Sequence, residues 1–119
     1  MMKQRGYFKL PTETGTIDLH FSANCWFNLQ EDTGMTISEF GVALEAEYAK
    51  DSQNTLKILD MLTDLAYAAA KANSQERNED VTYNRFNIRT WMANLDGNRA
   101  AEFIAAMQYA NHIPHKEGK

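Results

Sequence analysis

The sequence predicts a mainly α-helical protein in which a short N-terminal β-hairpin packs on a compact bundle of about five helices. Two patterns carry this prediction. Residues 16–21 alternate mostly apolar and polar side chains, which is the period of a half-buried strand. From Ser22 onward, apolar residues recur every three to four positions, as in a helix. The 119 residues fit one domain, divided here into the hairpin (1–21), the helical bundle (22–112) and a flexible tail (113–119).

The hairpin is predicted from two short apolar runs that are separated by turn residues. The first strand is expected at residues 7–10 and the second at residues 16–21, with Pro11 and Gly15 favouring the turn between them. An isolated two-stranded hairpin is only marginally stable in water. We therefore expect this one to pack against the helices.

Capping residues predict the limits of the first two helices. Ser22 is expected to cap the first helix, and Gly34 to end it in the left-handed conformation that glycine adopts readily. Thr36, followed three residues later by Glu39, gives the capping-box pattern at the start of the second helix.

The third helix, predicted from Asp51–Ser52 to about Ala72, is expected to lie at the centre of the domain. Its apolar arc is so wide that most of its circumference must be buried. Trp26 and Trp91, on the first and fourth helices, are expected to anchor the core around it. The arc consists of two adjacent stripes: Leu59, Leu62, Ala66 and Ala69, and beside them Ile58, Met61, Leu65, Ala68 and Ala72.

The remaining segments are predicted from polar runs and turn residues. Residues 73–80 are expected to form a loop, after which Thr82 or Asp80 caps the fourth helix. Asn98 is expected to cap the fifth helix, which should end near Pro114.

Charge and composition restrict the classes of function. The net charge is −4, and residues 29–66 contain eight acidic residues against two lysines, which disfavours binding to nucleic acid. This acidic stretch is either a solvated face or a docking face for a basic partner, and the two interpretations are compatible. No apolar run is long enough to span a membrane and no secretory signal is evident, so we expect a cytoplasmic protein without membrane partners. The single cysteine, Cys25, fits a reducing compartment.

The chain offers few residues for catalysis or metal binding, and we expect neither an enzyme nor a cofactor. His112 and His115 are three positions apart, but Pro114 lies between them and no third ligand is near in sequence. Arg85 and Arg89 could face a phosphate, although the solvated side of a helix is the interpretation we favour. No glycine-rich phosphate loop and no CxxC motif is present.

The order of three segments resembles that of a known protein family. The first segment contains, in order, an aromatic strand end, a short helix, an acidic pair, Thr-Gly and a second capped helix; its sequence is FSANCWFNLQEDTGMTISEF. The second segment is a long apolar helix with the sequence LKILDMLTDLAYAAAKAN. The third is a helix that begins at a threonine and contains a tryptophan, with the sequence VTYNRFNIRTWMANL. Across residues 6–110 this layout resembles the tail assembly chaperones of long-tailed bacteriophages. Residues 65–68 (Leu-Ala-Tyr-Ala) match a motif that often ends the central helix of that family.

The resemblance implies a chaperone without enzymatic activity. Proteins of this family bind the helical tape measure protein in the host cell cytoplasm, keep it soluble and help to recruit tail tube subunits. The alternative is a small structural virion protein, such as a head–tail or tail-completion subunit, and a regulator is a more distant third. Within the chaperone hypothesis, the candidate contact residues are exposed members of the apolar stripes: Phe40, Leu44, Tyr48, Met61 and Leu65. The alternative, which we favour, is that all five belong to the core of the domain.

Overall fold

The structure, a computed structural model, describes residues 6–50 and 55–117 and confirms the predicted helical fold with its N-terminal hairpin. The elements follow in the order β1 (Tyr7–Pro11), β2 (Thr16–His20), α1 (Ala23–Thr33), α2 (Ile37–Ala49), α3 (Thr55–Glu76), α4 (Arg85–Ala93) and α5 (Gly97–Glu117).

The antiparallel hairpin has one buried face and one solvent-facing face. The register pairs Phe8 with Leu19, and both side chains point into the core. On the outer face, Lys9 forms an ion pair with Asp18 at 2.9 Å between Nζ and Oδ1. Phe8 and Phe21 each meet the ring of Phe103 on α5 edge-on, with ring centroids 5.4 Å apart. The hairpin is thereby stabilised by packing on helices, as a two-stranded unit requires.

Helix α3 lies at the centre of the domain, as its wide apolar arc predicts. It packs against α1, α2, α4 and β2. Members of both predicted stripes are buried, and five alanines in its C-terminal half allow neighbouring backbones to approach closely. The residues of α3 that form the core are Met61, Leu62, Leu65, Ala66, Ala68, Ala69, Ala70 and Ala72.

Several predicted helix ends are confirmed. Thr36 Oγ1 accepts the Glu39 N–H at 3.1 Å while the Glu39 carboxylate accepts the Thr36 N–H at 2.9 Å, which completes the capping box of α2. Gly34 adopts a φ of 79° and donates its N–H to the Gln30 carbonyl, ending α1. Ser22 occupies the N-cap position of α1 without a side-chain cap. The predicted cap at residues 51–52 lies outside the described residues.

The predicted loop at residues 73–80 is wrong at its first half, because α3 continues to Glu76. Asn73 and Ser74 are polar but buried, and the Ser74 hydroxyl lies 3.1 Å from the hydroxyl of Tyr83. A partner outside the helix thus allows a polar residue to remain in a buried helical turn.

The predicted caps of the last two helices also require correction. Asn84, rather than Thr82 or Asp80, caps α4: its side chain accepts the Asn87 N–H at 2.8 Å. Asp96, rather than Asn98, accepts the Arg99 N–H at 2.8 Å at the start of α5. Asn and Asp are equally strong caps, so sequence alone did not separate the neighbouring candidates.

Helix α5 continues past Pro114 to Glu117 instead of ending near the proline. Proline fixes φ at a helical value and removes only one N–H donor, so a helix can extend beyond it at an energetic cost. The two tryptophans, Trp26 and Trp91, pack against the core but remain partly exposed. They therefore border the core instead of filling its centre.

The central position of α3 predicts that its buried leucines control stability. Leu65 is 0% exposed, whereas Leu56 on the same helix is 78% exposed. Leu65→Ala should lower the free energy of unfolding by about 2–5 kcal/mol, because it removes buried methyl groups and leaves a cavity. The matched Leu56→Ala change should stay within about 0.5 kcal/mol of the wild type. Urea unfolding followed by circular dichroism measures both, and equal effects would contradict the assignment of α3 as the core.

Candidate protein-binding surface

The five predicted contact residues do not form one exposed surface. Phe40, Leu44, Met61 and Leu65 are all buried, and they belong to one core cluster. Only Tyr48 is exposed, at 54% of its surface. The interpretation of these residues as exposed contacts is therefore wrong for four of the five, which lie in the core as the alternative interpretation has it, and that alternative is wrong for Tyr48.

The physical reason is that the stripes of α2 and α3 face other parts of the fold. The wide arc of α3 is covered by four elements, which leaves no open apolar groove along Met61 and Leu65. On α2, Phe40 and Leu44 form the side that points inward. A surface available to a partner must therefore lie elsewhere on these helices.

Six large apolar side chains are exposed among the described residues. Single exposed apolar residues are common on soluble proteins, so their arrangement decides whether they matter. Two of them belong to α2, which makes this helix the first to consider. The six are Phe27, Val42, Tyr48, Leu56, Val81 and Phe86.

The outer face of α2 combines apolar and acidic residues. Helical geometry places Val42, Ala46 and Ala49 in one row, opposite Phe40 and Leu44, since they follow at spacings of four and three. We define the outer face by this row and the residues beside it, all of which are exposed: Ser38, Glu39, Val42, Glu45, Ala46 and Ala49.

This arrangement is unusual for a surface helix that packs on one side only. Such a helix normally buries an apolar stripe and presents charged or polar residues on the opposite side. In α2 the central row of the opposite side is apolar, and Val42 is 69% exposed. A helix that is apolar on two sides is usually covered on both. The outer face is therefore the best candidate for contact with another protein.

The sequence contains a signal for this face, separate from the stripe of large apolar residues. Val42, Ala46 and Ala49 recur at helical spacing on the side opposite Phe40 and Leu44. Following the larger residues alone led to the buried side, because large apolar residues are most often core.

Net charge is concentrated on the first two helices. Residues 23–50 contain five acidic residues and one lysine, which equals the net charge of −4 of the whole chain. Asp32 in this segment is paired with Lys71 of α3, with 2.9 Å between Oδ2 and Nζ. Glu45, by contrast, lies on the exposed outer face of α2. The surroundings of the apolar row are thus acidic.

Two further acidic residues of the predicted acidic stretch are used within the fold. Arg85 of α4 donates to Asp60 at 2.7 Å and to Asp64, and Arg89 donates to Asp60 at 3.1 Å. The two arginines therefore neither form a freely solvated face nor remain free for a phosphate. They fasten α4 to α3.

The pKa values of the two aspartates shift in opposite directions, because burial and the arginine contacts oppose each other at both positions. Burial acts to raise the pKa of Asp60, but the hydrogen bonds from Arg85 and Arg89 outweigh it and hold the pKa below its ordinary value. Burial dominates at Asp64 and raises its pKa despite the contact with Arg85. Neither carboxylate is available as a separate docking charge.

A second polar cluster joins three elements at the C-terminal end of α3. The Glu76 carboxylate accepts hydrogen bonds from Ser22 Oγ at 2.6 Å and Asn24 Nδ2 at 2.8 Å, and lies 2.6 Å from His20 Nδ1. Burial acts to raise the pKa of Glu76, but these hydrogen bonds outweigh it and lower the pKa. These contacts hold the end of β2 and the start of α1 against α3.

A polar cleft of about 280 Å³ lies between β2 and the connection from α3 to α4. Its walls include Asp18, Arg77, Tyr83 and Asn73. The amide oxygen of Asn73 is buried and has no hydrogen-bond partner. Asp18 and Arg77 are already paired with Lys9 and with Glu79, respectively. Ion pairs within the fold therefore hold these two charged walls of the cleft.

Cys25 is fully buried, and burial raises the pKa of its thiol, which disfavours a reactive thiolate. Within residues 6–50 and 55–117, no three or more His, Cys, Asp or Glu residues are grouped so that they could hold a metal ion. In the same described part of the chain, no helix combines the length and the apolar content needed to cross a bilayer.

Comparison with known proteins gives no relative: no family model, curated protein or solved structure matches the chain.

The Glu76 cluster predicts a pH-dependent contribution to stability. Because the folded-state pKa of Glu76 is lowered, its ionised form stabilises the fold above the unfolded-state pKa, and this stabilisation is lost as the pH falls through the folded-state value. Glu76→Gln should therefore lower the free energy of unfolding at neutral pH. The difference in free energy from the wild type should become smaller at pH values below 4.5, the ordinary pKa of glutamate.

Urea unfolding at a series of pH values measures this difference. Glu13→Gln is the matched control, because Glu13 lies exposed in the hairpin turn and its change should leave stability unaltered throughout. A difference between Glu76→Gln and wild type that stays constant into the acid range would contradict the role of the ionised carboxylate.

Proposed function

We propose that the protein is a chaperone of bacteriophage tail assembly, without enzymatic activity, that binds the tape measure protein in the host cytoplasm, keeps it soluble and helps to recruit tail tube subunits. The observation that carries the proposal is the outer face of α2, a helix that is apolar on two sides and covered on one. The resemblance of residues 6–110 to tail assembly chaperones supplies the identity of the partner.

The geometry of α2 suits a chaperone that must bind and release. A long amphipathic helix exposes more apolar surface than a soluble protein normally tolerates, and a second apolar helix face can cover it. The apolar row of α2 consists of one valine and two alanines, so the area that it can bury is small. Small interfaces are typical of transient complexes. Reversible binding is what assembly requires, since the chaperone must leave before the tail tube closes around its partner.

The polar clusters of the fold support a binding function over a catalytic one. The Asp60–Arg85 contacts hold α4, and the Glu76 cluster holds the hairpin and α1, so each group is engaged by its structural partners. Catalysis would need convergent polar groups that face a substrate in a pocket.

Co-expression tests the proposal. The protein should raise the soluble yield of the tape measure protein of its own phage severalfold, because it covers apolar helical surface that otherwise aggregates. Val42→Gln should reduce the gain, since glutamine is a good helix former and uncharged, like valine, but removes the apolar contact. Soluble and pelleted fractions are compared by quantitative gel analysis.

Val81→Gln is the matched control, because it makes the same change at an exposed valine outside α2 and should preserve the gain. No gain in soluble tape measure protein with the wild type would contradict the chaperone function. Presence of the protein in purified virions at a fixed copy number would instead favour the structural virion protein.

A further inference from the structure

The outer face of α2 is acidic as well as apolar, and this combination specifies the chemistry of its partner. We infer that the face binds a basic amphipathic helix, with the apolar side of that helix over Val42 and its lysine or arginine side chains beside Glu39 and Glu45. The inference rests on the proposed function and deepens it, because it defines which segment of a helical partner is recognised.

The apolar row sets the form of the partner. Val42, Ala46 and Ala49 lie along about 10 Å of the C-terminal half of α2, and the whole helix, with 13 residues, has a length of about 20 Å. A partner helix of about four turns matches this length, and its apolar residues at spacings of three and four would lie along the row. An extended strand would leave its backbone hydrogen-bonding groups unpaired on a helix surface. The row therefore favours a helix.

The acidic residues beside the apolar row determine the sign of the charge expected on the partner helix. Glu45 lies on one side of the apolar row and Glu39 on the other, and both are exposed. Lys50, at the C-terminal end of the helix, contacts the Glu47 carboxylate at 3.1 Å. The whole net charge of the protein resides in residues 23–50, so the field around α2 attracts a cationic helix and steers its approach.

The same charges argue against a second copy of this chain as the occupant. Two α2 outer faces packed on each other would bring Glu39 and Glu45 of both copies together. Like charges in an interface disfavour association. The rest of the chain has equal numbers of acidic and basic residues, so it offers no strongly basic surface to compensate. A basic partner from a different protein is therefore the occupant that the charges favour.

Binding of designed helical peptides tests the inference. The probe is a fluorescein-labelled amphipathic peptide of about 20 residues, with leucines on one face and lysines on both flanks. A second peptide has glutamates in place of the lysines. Fluorescence anisotropy at low ionic strength should show tighter binding of the lysine peptide, and added salt should weaken that binding.

Two pairs of variants locate the site. Glu45→Lys should weaken binding of the lysine peptide about fivefold or more, whereas Glu13→Lys makes the same charge change in the hairpin turn and should have a much smaller effect. Val42→Gln should weaken binding of the peptide, and Val81→Gln should not. All four positions are exposed, so each variant should fold.

Three results would overturn the inference. The first is equal binding of the lysine and glutamate peptides. The second is equal effects of Glu45→Lys and Glu13→Lys. The third is a wild-type dimer, measured by light scattering, that Val42→Gln dissociates, since a second copy would then occupy the face. If the tape measure protein is still solubilised in any of these cases, the chaperone function stands and its surface lies elsewhere. If solubilisation also fails, the proposed function fails with the inference.

Discussion

The structure depends on one constraint, which is that α3 is apolar around most of its circumference and must be covered on several sides. Helices α1 and α4 and strand β2 provide most of that cover, and α2 adds a smaller contact. The alanines in the C-terminal half of α3 allow these elements to approach closely. Once α3 is enclosed, its apolar stripes are no longer available to a partner, and any binding surface must come from an element at the periphery.

Helix α2 is that element. It contributes Phe40 and Leu44 to the core and leaves a second apolar row, centred on Val42, in solvent. The polar clusters have a different role. Arg85 and Arg89 pair with Asp60 and Asp64 between α3 and α4. The Glu76 carboxylate contacts His20 at the end of β2, the N-cap residue of α1 and Asn24 within α1. These clusters hold β2, α1 and α4 against α3. Helix α2 lies at the periphery of this assembly, and its acidic and apolar outer face points to solvent.

The sequence predicted much of this fold because its strongest patterns are local. The period-two hairpin, the capping box at Thr36 and the terminating Gly34 each depend on residues within a few positions of one another, and all three are confirmed. The extension of α3 to Glu76 was not predicted, since Asn73 and Ser74 are polar and read as a loop. The burial of Ser74 depends on the hydroxyl of Tyr83, which only the folded chain brings near.

The candidate surface was predicted less well for the same reason. Periodicity shows that a helix has an apolar stripe, but it does not show whether a neighbour covers that stripe. Both interpretations of the five candidate residues were open from the sequence: Phe40, Leu44, Met61 and Leu65 lie in the core, whereas Tyr48 is exposed. The acidic character of residues 29–66 was evident from the sequence. The sequence did not show which of these acidic residues are used within the fold, because Asp60 and Asp64 pair with Arg85, which is more than 20 positions away along the chain.

Valine-methyl NMR tests the central claim, that the outer face of α2 is a binding surface, most directly. The chain contains two valines, Val42 on that face and Val81 in the connection between α3 and α4. Titration of methyl-labelled protein with the tape measure protein should shift or broaden the Val42 signals and leave the Val81 signals unchanged. Unchanged Val42 signals under conditions in which the complex forms would contradict the account.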